Sequence, residues 1–329
     1  MYHPPAMKDV AADWFARRTY HHRDYAPRRL VEEKERQGCR VSLCIPALNE
    51  GATIGGIVRS VRRHLIERIP LVDELVVMDS NSADGTAERA AEAGALVIQD
   101  REVRPDLEEM YGKGEAMWKS LFATTGDLVA WLDADIRNFH PRFVYGVLGP
   151  LLTDPSVGYV KGFYERPILD GDRLTGLSGG RVTELMARPL LNMFWPHLAG
   201  VVQPLAGEYA GRRSLLEQVP FFTGYGVEIG LLIDVADRFG IDAIAQVDLE
   251  RRVHRNRDLA DLSRMAFAVL QTAMRRLVSS GRIELHSRMD LGLYLFELLG
   301  GSYRMEPSLI DVRERPPAIS VAGDGASLG

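Results

Sequence analysis

The run Asp133-Ala134-Asp135 holds more potential chemistry than any other in this 329-residue sequence. It directly follows the apolar stretch 128–132. Residues two apart on a strand point to the same side, so the spacing predicts two carboxylates converging at a strand end. Oxygen donors of this kind suit Mg2+ or Mn2+, which bind a diphosphate with few protein ligands. Asp79, in Asp79-Ser80-Asn81-Ser82, ends an earlier apolar run and is the ligand candidate of that loop. Ser82 reads as a helix cap. Pro46-Ala47-Leu48-Asn49-Glu50 closes the first such run. Its proline fixes the backbone and its Asn49 and Glu50 bring polar groups, which suits gripping a base and ribose. An ordinary turn and helix cap is the alternative. A dinucleotide fold would carry Gly-x-Gly-x-x-Gly there, and it is absent.

Further candidates lie on predicted helix starts. Lys113 is flanked by Gly112 and Gly114, whose freedom lets backbone and ammonium approach a ligand closely. Gly179-Gly180-Arg181-Val182-Thr183 opens a helix. The free amides there, the Arg181 fork and the Thr183 hydroxyl suit a phosphate or carboxylate. Glu228 enters the first turn of an apolar helix, as dipole compensation or as a group aimed into a buried surface. In Arg252-Val253-His254-Arg255-Asn256, at a predicted strand end, His254 could complete a metal sphere begun by Asp135.

These residues need a scaffold, and the hydropathy pattern supplies one. Short apolar runs at 40–45, 74–78, 95–98 and 128–132 alternate with helical spacing at 54–65, 86–93 and 115–124. Continuous apolar strands between helices indicate a mostly parallel sheet covered on both faces, with ligands collecting at the carboxyl ends of its strands. The later part predicts strands at 157–164, 208–212 and 243–254, and helices at 181–194, 227–239 and 258–280. Residues 1–39 read as an arm packed on the main domain or on a second subunit. The Pro-, Gly- and Ser-rich tail after 305 reads as frayed. The expected boundaries are an arm at 1–39, two halves at 40–138 and 139–261, and a helical extension with tail at 262–329.

The net charge of −5, from 40 basic and 45 acidic residues, offers no global field for nucleic acid. Two cysteines, Cys39 and Cys44, are too few for a disulfide scaffold or a metal site and read as reduced. No apolar run of membrane-spanning length occurs and the N-terminus lacks a signal-peptide pattern, so a cytoplasmic protein is expected.

Taken together, IPALNEGATI, VMDSNSADGT, GKGEAMW, LDAD, GGRVTELMARPLL, QPLAGEYAGRR, GYGVEIGLLID and VHRN, in that order over roughly 40–258, resemble the glucosyl-3-phosphoglycerate and mannosyl-3-phosphoglycerate synthases. The resemblance implies a GT-A fold and a retaining transferase that moves glucose or mannose from UDP-glucose, GDP-glucose or GDP-mannose to D-3-phosphoglycerate. It implies that Pro46, Ala47, Leu48, Glu50, Ser80, Asp133 and Ala134 hold the nucleotide-sugar. Asp135 and His254 would hold the divalent metal, and Gly180, Arg181 and Thr183 the acceptor phosphate, with Asn256 nearby. Lys113 and Glu228 would surround the donor sugar and its phosphates, and the Leu205 carbonyl would orient the acceptor hydroxyl. A homodimer is implied as well. The arm, the C-terminal third and DAD in place of DSD depart from the family pattern, and nucleotide and sugar choice stay open. Three rivals remain. An inverting transferase on a polyprenyl phosphate would want a membrane anchor or basic amphipathic helix. A sugar nucleotidyltransferase would want a Gly- and Arg-rich loop after the first strand. A nucleotide-sugar sensor would have no need of a metal site.

Overall fold

The computed structural model describes residues 7–166, 169–170, 173–174, 180–253 and 258–321. The arm contributes α1 (Met7–Arg18), β1 (Thr19–His21) and α2 (Pro27–Gln37). The expected alternation follows: β2 (Val41–Ala47), α3 (Ile54–Val61), β3 (Glu74–Asp79), α4 (Thr86–Ala93), β4 (Leu96–Gln99), α5 (Lys113–Ala123) and β5 (Leu128–Trp131). Next come α6 (Arg142–Thr153), β6 (Tyr159–Glu165), the small pair β7 (Leu169–Asp170) and β8 (Arg173–Leu174), α7 (Arg188–Phe194), β9 (Tyr209–Arg212), α8 (Arg213–Leu216) and β10 (Phe221–Phe222). The chain ends with α9 (Val227–Phe239), β11 (Ile244–Arg251), α10 (Leu259–Ser279), β12 (Gly292–Leu299), β13 (Ser302–Leu309), β14 (Glu314–Arg315) and α11 (Ala318–Val321).

Eight strands form one sheet in the order β1-β11-β6-β9-β5-β2-β3-β4. All neighbours are parallel except β9, which runs against both β5 and β6. Alternate residues feed two cores. Leu43, Ile45, Val77, Ala130 and Val247 face one, and Cys44, Val76, Met78, Val129 and Trp131 face the other. Burial on both faces is why these strands read as unbroken apolar runs.

Four readings of the sequence are corrected here. The first core strand does not stop at Pro46 but continues through it, with Pro46 opposite Met78 and Ala47 opposite Asp79. Cys44 and Pro46 turn their peptide groups toward β5, whose pairing ends at Cys44, so the missing N–H of Pro46 costs no ladder bond. The arm is part of the sheet: β1 pairs with β11 from Thr19↔Gln246 to His21↔Asp248. It is pinned by fully buried Trp14, whose Nε1 donates to the Ile241 and Ile244 carbonyls at 2.9 and 3.0 Å. The tail is not frayed up to residue 321. β14 pairs with β10, and Val312 and Ala318 are buried. Arg315 grips buried Glu115 with two bonds of 2.7 Å. Finally, Ser82 does not cap α4, whose N-cap is Gly85. Its Oγ instead accepts from Asn49 N at 2.9 Å.

Candidate active site at the carboxyl edge of the sheet

The ends of β2, β3, β5, β6 and β11 meet at one edge. The reversal of β9 brings its beginning, with Glu208 just before it, to the same edge. Two helix starts complete the site. Lys113 is the first residue of α5 and Glu228 lies in the first turn of α9. Gly112, at φ 98°, and Gly114 make this contact possible. A Cβ on Gly112 would lie 2.9 Å from Gly224 Cα, and one on Gly114 would lie 1.8 Å from the Phe222 carbonyl oxygen. These glycines therefore admit the segment leading to Glu228.

Lys113 Nζ donates to Asp133 Oδ1 at 2.6 Å and to Glu228 Oε1 at 2.7 Å. Burial alone would lower the Lys113 pKa, but the two carboxylates outweigh it and raise it. Burial alone would raise that of Asp133, and the charges of Lys113 and Arg252 lower it instead. Lys113, Asp133 and Arg252 thus stay charged at neutral pH. Gly207 is required as well, because a Cβ there would sit 2.0 Å from Asp133 Oδ2.

Asp133 and Asp135 converge, but not by strand alternation. β5 ends at Trp131, and the pair lies in the turn beyond it, which the Thr53 hydroxyl ties down through the Ala134 carbonyl at 2.5 Å. Both carboxylates meet the buried Arg252 guanidinium: Nη1 donates to Asp133 Oδ2 at 2.9 Å and Nη2 to Asp135 Oδ1 at 2.5 Å. Arg252 Nη1 also lies 2.8 Å from Glu208 Oε1 and donates to the Tyr164 hydroxyl at 2.6 Å. Glu208 is fully buried, and burial pushes its carboxyl up against the opposing pull of Arg252. Lys161 donates to the Ala206 carbonyl at 2.7 Å, beside Leu205, and lies 4.3 Å from the centroid of the Tyr209 ring. Burial pushes its ammonium down to about 7.

The loops after β2 and β3 interlock. Asn49 and Asn81 both adopt left-handed backbone, at φ 56° and 63°. Asn49 Oδ1 accepts from Ala83 N, Glu50 N donates to Thr86 Oγ1, and Ser80 N donates to the Ala47 carbonyl, each at 2.9 Å. Asp79 is buried, with Oδ2 closing the turn to Ser82 N and receiving Gln99 Nε2. The Ser80 hydroxyl donates to Asp100 Oδ2 at 2.7 Å. Leu48, more than half exposed, stands at the rim. Gly180, at φ 93°, leads into the helix bearing Arg181 and buried Thr183. His254 and Asn256 lie outside the described residues.

The structure therefore brings Lys113, Asp133 and Glu228 into direct contact and joins Asp135 to them through Arg252. Sequence reasoning passed over Arg252, Glu208, Lys161 and Tyr164. A single lysine inside the buried strand β6 was the available signal for Lys161. For the metal, both Asp133 oxygens are engaged, whereas Asp135 Oδ2 accepts no hydrogen bond among the described residues. That oxygen is the donor that fits Mg2+ or Mn2+.

The sequence pattern described as Glycosyl transferase family 2 matches residues 42–201. A relative in Petrotoga mobilis named glucosyl-3-phosphoglycerate synthase is 45% identical over 310 residues, 94% of this chain and 95% of that protein. The chain belongs to the glucosyl-3-phosphoglycerate synthase family. Likeness to this family extends well beyond 40–258, so the arm and the C-terminal third match better than their motifs implied. The crystal structure of the mannosyl-3-phosphoglycerate synthase of Rubrobacter xylanophilus superposes with a TM-score of 0.86 at 42% identity, covering 94% of this chain and 98% of that one. The glucosyl-3-phosphoglycerate synthase of Mycobacterium tuberculosis, crystallised with Mn2+, UDP-glucose and phosphoglyceric acid, gives 0.78 at 43% identity over 90% and 95%. Like these family members, the chain carries the GT-A type of sheet expected from its sequence.

Proposed function

We propose that this member of the family transfers a hexose, glucose by preference, from a nucleoside-diphosphate sugar to 3-phosphoglycerate with retention of the α configuration. The observation that carries the reading is Lys113, held between Asp133 and Glu228 at the carboxyl edge of the sheet. Six relatives of 44–49% identity named for the glucosyl activity favour glucose.

In this reading residues 40–138 grip the nucleotide-sugar through Pro46, Ala47, Leu48, Glu50, Asp79, Ser80, Asp133 and Ala134. Residues 139–261 present Gly180, Arg181, Thr183 and Asn256 to the acceptor. Asp135, with His254, would hold Mg2+ or Mn2+, which supplies charge neutralisation of the diphosphate when bound. Lys113 stabilises the same developing charge from the protein side. Glu228, with Oε1 committed to Lys113, orients the sugar rather than attacking it. The Leu205 carbonyl directs the acceptor hydroxyl toward the anomeric carbon from the face the diphosphate leaves. The departing phosphate oxygen takes the hydroxyl proton, so no protein nucleophile is needed, and positioning supplies much of the rate.

Two further expectations belong to this reading. Cys39 and Cys44 are free, which suits a cytoplasmic setting, and among the described residues no helix is long and apolar enough to cross a membrane. The hairpin β12–β13 exposes Tyr294, Phe296, Leu298, Tyr303 and Leu309, an apolar face that a second copy would cover in a homodimer. Assays with UDP-glucose, GDP-glucose and GDP-mannose against 3-phosphoglycerate test the function. Inactivity with all three would refute the acceptor, and a β-linked product by NMR coupling would refute retention.

A further inference from the structure

We propose that Glu250 is a positioning residue whose left-handed backbone turns Arg252 onto the Asp133 and Asp135 carboxylates. The β11–β6 ladder pairs Asp248 with Phe163 and Arg251 with Glu165, so β11 carries one residue more than its partner over this stretch. Glu250, inside that bulge, has φ 66°. A residue with a Cβ keeps this conformation only when its surroundings hold it. An inserted residue reverses every facing beyond it. Without the bulge, Arg252 would face as Gln246 and Asp248 do. With it, Arg252 faces as Tyr164 does, lies 5.3 Å from the centroid of that ring and reaches both carboxylates.

The surroundings that hold the bulge come from two directions. Arg142 Nε donates to the Leu249 carbonyl at 2.7 Å, and its Nη2 donates to that of Arg251 at 3.0 Å. Asn138 Nδ2 donates to the Arg251 carbonyl at 2.9 Å, while its Oδ1 accepts from Val253 N at 2.7 Å. These clamps follow directly on the turn that carries Asp133 and Asp135. From the arm, His22 Nε2 lies 3.1 Å from Glu250 Oε1, and Arg23 pairs with the same oxygen. Arg142 Nη1 lies 3.9 Å from Oε2. These pairs engage the Glu250 side chain, whereas the Arg142 and Asn138 bonds hold the backbone on either side of it.

His21, His22 and Glu250 place ligand atoms within 4.8 Å of one another, a set able to hold a divalent ion. Arg23 and Arg142 already neutralise the carboxylate, and His21 Nδ1 accepts from Arg23 N at 3.1 Å. These contacts assign the cluster to positioning.

Alanine and glycine at 250 separate the two roles, because both lack the carboxylate and only glycine takes the left-handed conformation freely. The inference rests on the proposed transfer for its rate measurement. Wild-type turnover reports on that reading, and the ratio between variants reports on this one. Hydrogen exchange at the 249–253 amides gives a readout independent of activity. Glu250→Ala should lower kcat/KM about tenfold or more and loosen those amides. Glu250→Gly should stay within about threefold of wild type. Should the alanine variant fail to fold, Glu250→Asn against Glu250→Ser makes the same comparison, since asparagine tolerates this backbone and serine less so. Alanine and glycine variants equal to each other, whether both impaired or both normal, would overturn the proposal. So would a rise in wild-type melting temperature on adding Zn2+ that is lost in both variants, which would mark a metal ligand.

Discussion

Gly207→Ala tests the site with a single added methyl group. Its Cβ would fall 2.0 Å from Asp133 Oδ2 and 2.2 Å from Cγ. Ordinary contact begins at about 3.5 Å, so the carboxylate must retreat by more than about 1 Å. It is held by bonds of 2.6 Å from Lys113 and 2.9 Å from Arg252. Such bonds fail beyond about 3.2 Å, so at least one is lost. A charge-assisted bond contributes about 1.5–3 kcal/mol, which corresponds to about a 10- to 150-fold loss in kcat/KM. The assay is nucleoside-diphosphate release at saturating metal and acceptor, run beside a thermal melt. In an Asp133→Ala background the same methyl meets no carboxylate, so adding Gly207→Ala should cost little more. A normal rate for Gly207→Ala, or an equal further loss in the Asp133→Ala background, would refute displacement of Asp133 as the cause.

Three other outcomes are expected. Arg315→Met leaves fully buried Glu115 without its bidentate partner and should cost about 3–5 kcal/mol in urea unfolding. No measurable cost would show that Lys119, at 3.4 Å, suffices. Lys161, pushed down to about 7 from 10.5, binds fewer protons folded than unfolded between those values. Its burial penalty is therefore full below about pH 7 and fades toward about pH 10, so wild type should gain stability relative to Lys161→Met across that window. Parallel pH–stability curves would contradict this. His254→Ala should raise the Mn2+ needed for half activity, with partial rescue by excess metal, and Asp135→Ala should be worse; a lowered melting temperature with unchanged metal demand would make His254 structural.

The sheet was legible where hydropathy reports burial. The unbroken apolar runs of β2, β3 and β5 are the strands covered on both faces, and the Asp133 turn falls at the expected strand end. Strand direction leaves no trace in hydropathy, so the reversal of β9, and with it the arrival of Glu208 at the site, was invisible. β1 is three residues long, too short for a pattern, and its pairing depends on β11 more than two hundred residues away. Arg252 was hidden by the bulge, because strand alternation would have sent it to the opposite face. The tail misled through composition: its prolines and glycines suggested fraying, whereas Arg315 and Val312 fix it to the domain. Lys113 was singled out by its flanking glycines, which in the structure make room for the Phe222–Gly224 backbone.

The pair Glu115–Arg315 sets a condition on how the chain is made. The carboxylate lies buried on α5, yet its bidentate partner lies 200 residues downstream. At about 5–20 residues per second, a ribosome needs about 10–40 s to supply it. Until then, α5 settling against the β10 segment leaves the buried Glu115 carboxylate with Lys119, at 3.4 Å, in place of its bidentate Arg315 contact. A chain cut short before residue 315 would carry that defect permanently. Docking of α5 with its full set of contacts thus waits for the synthesis of residue 315.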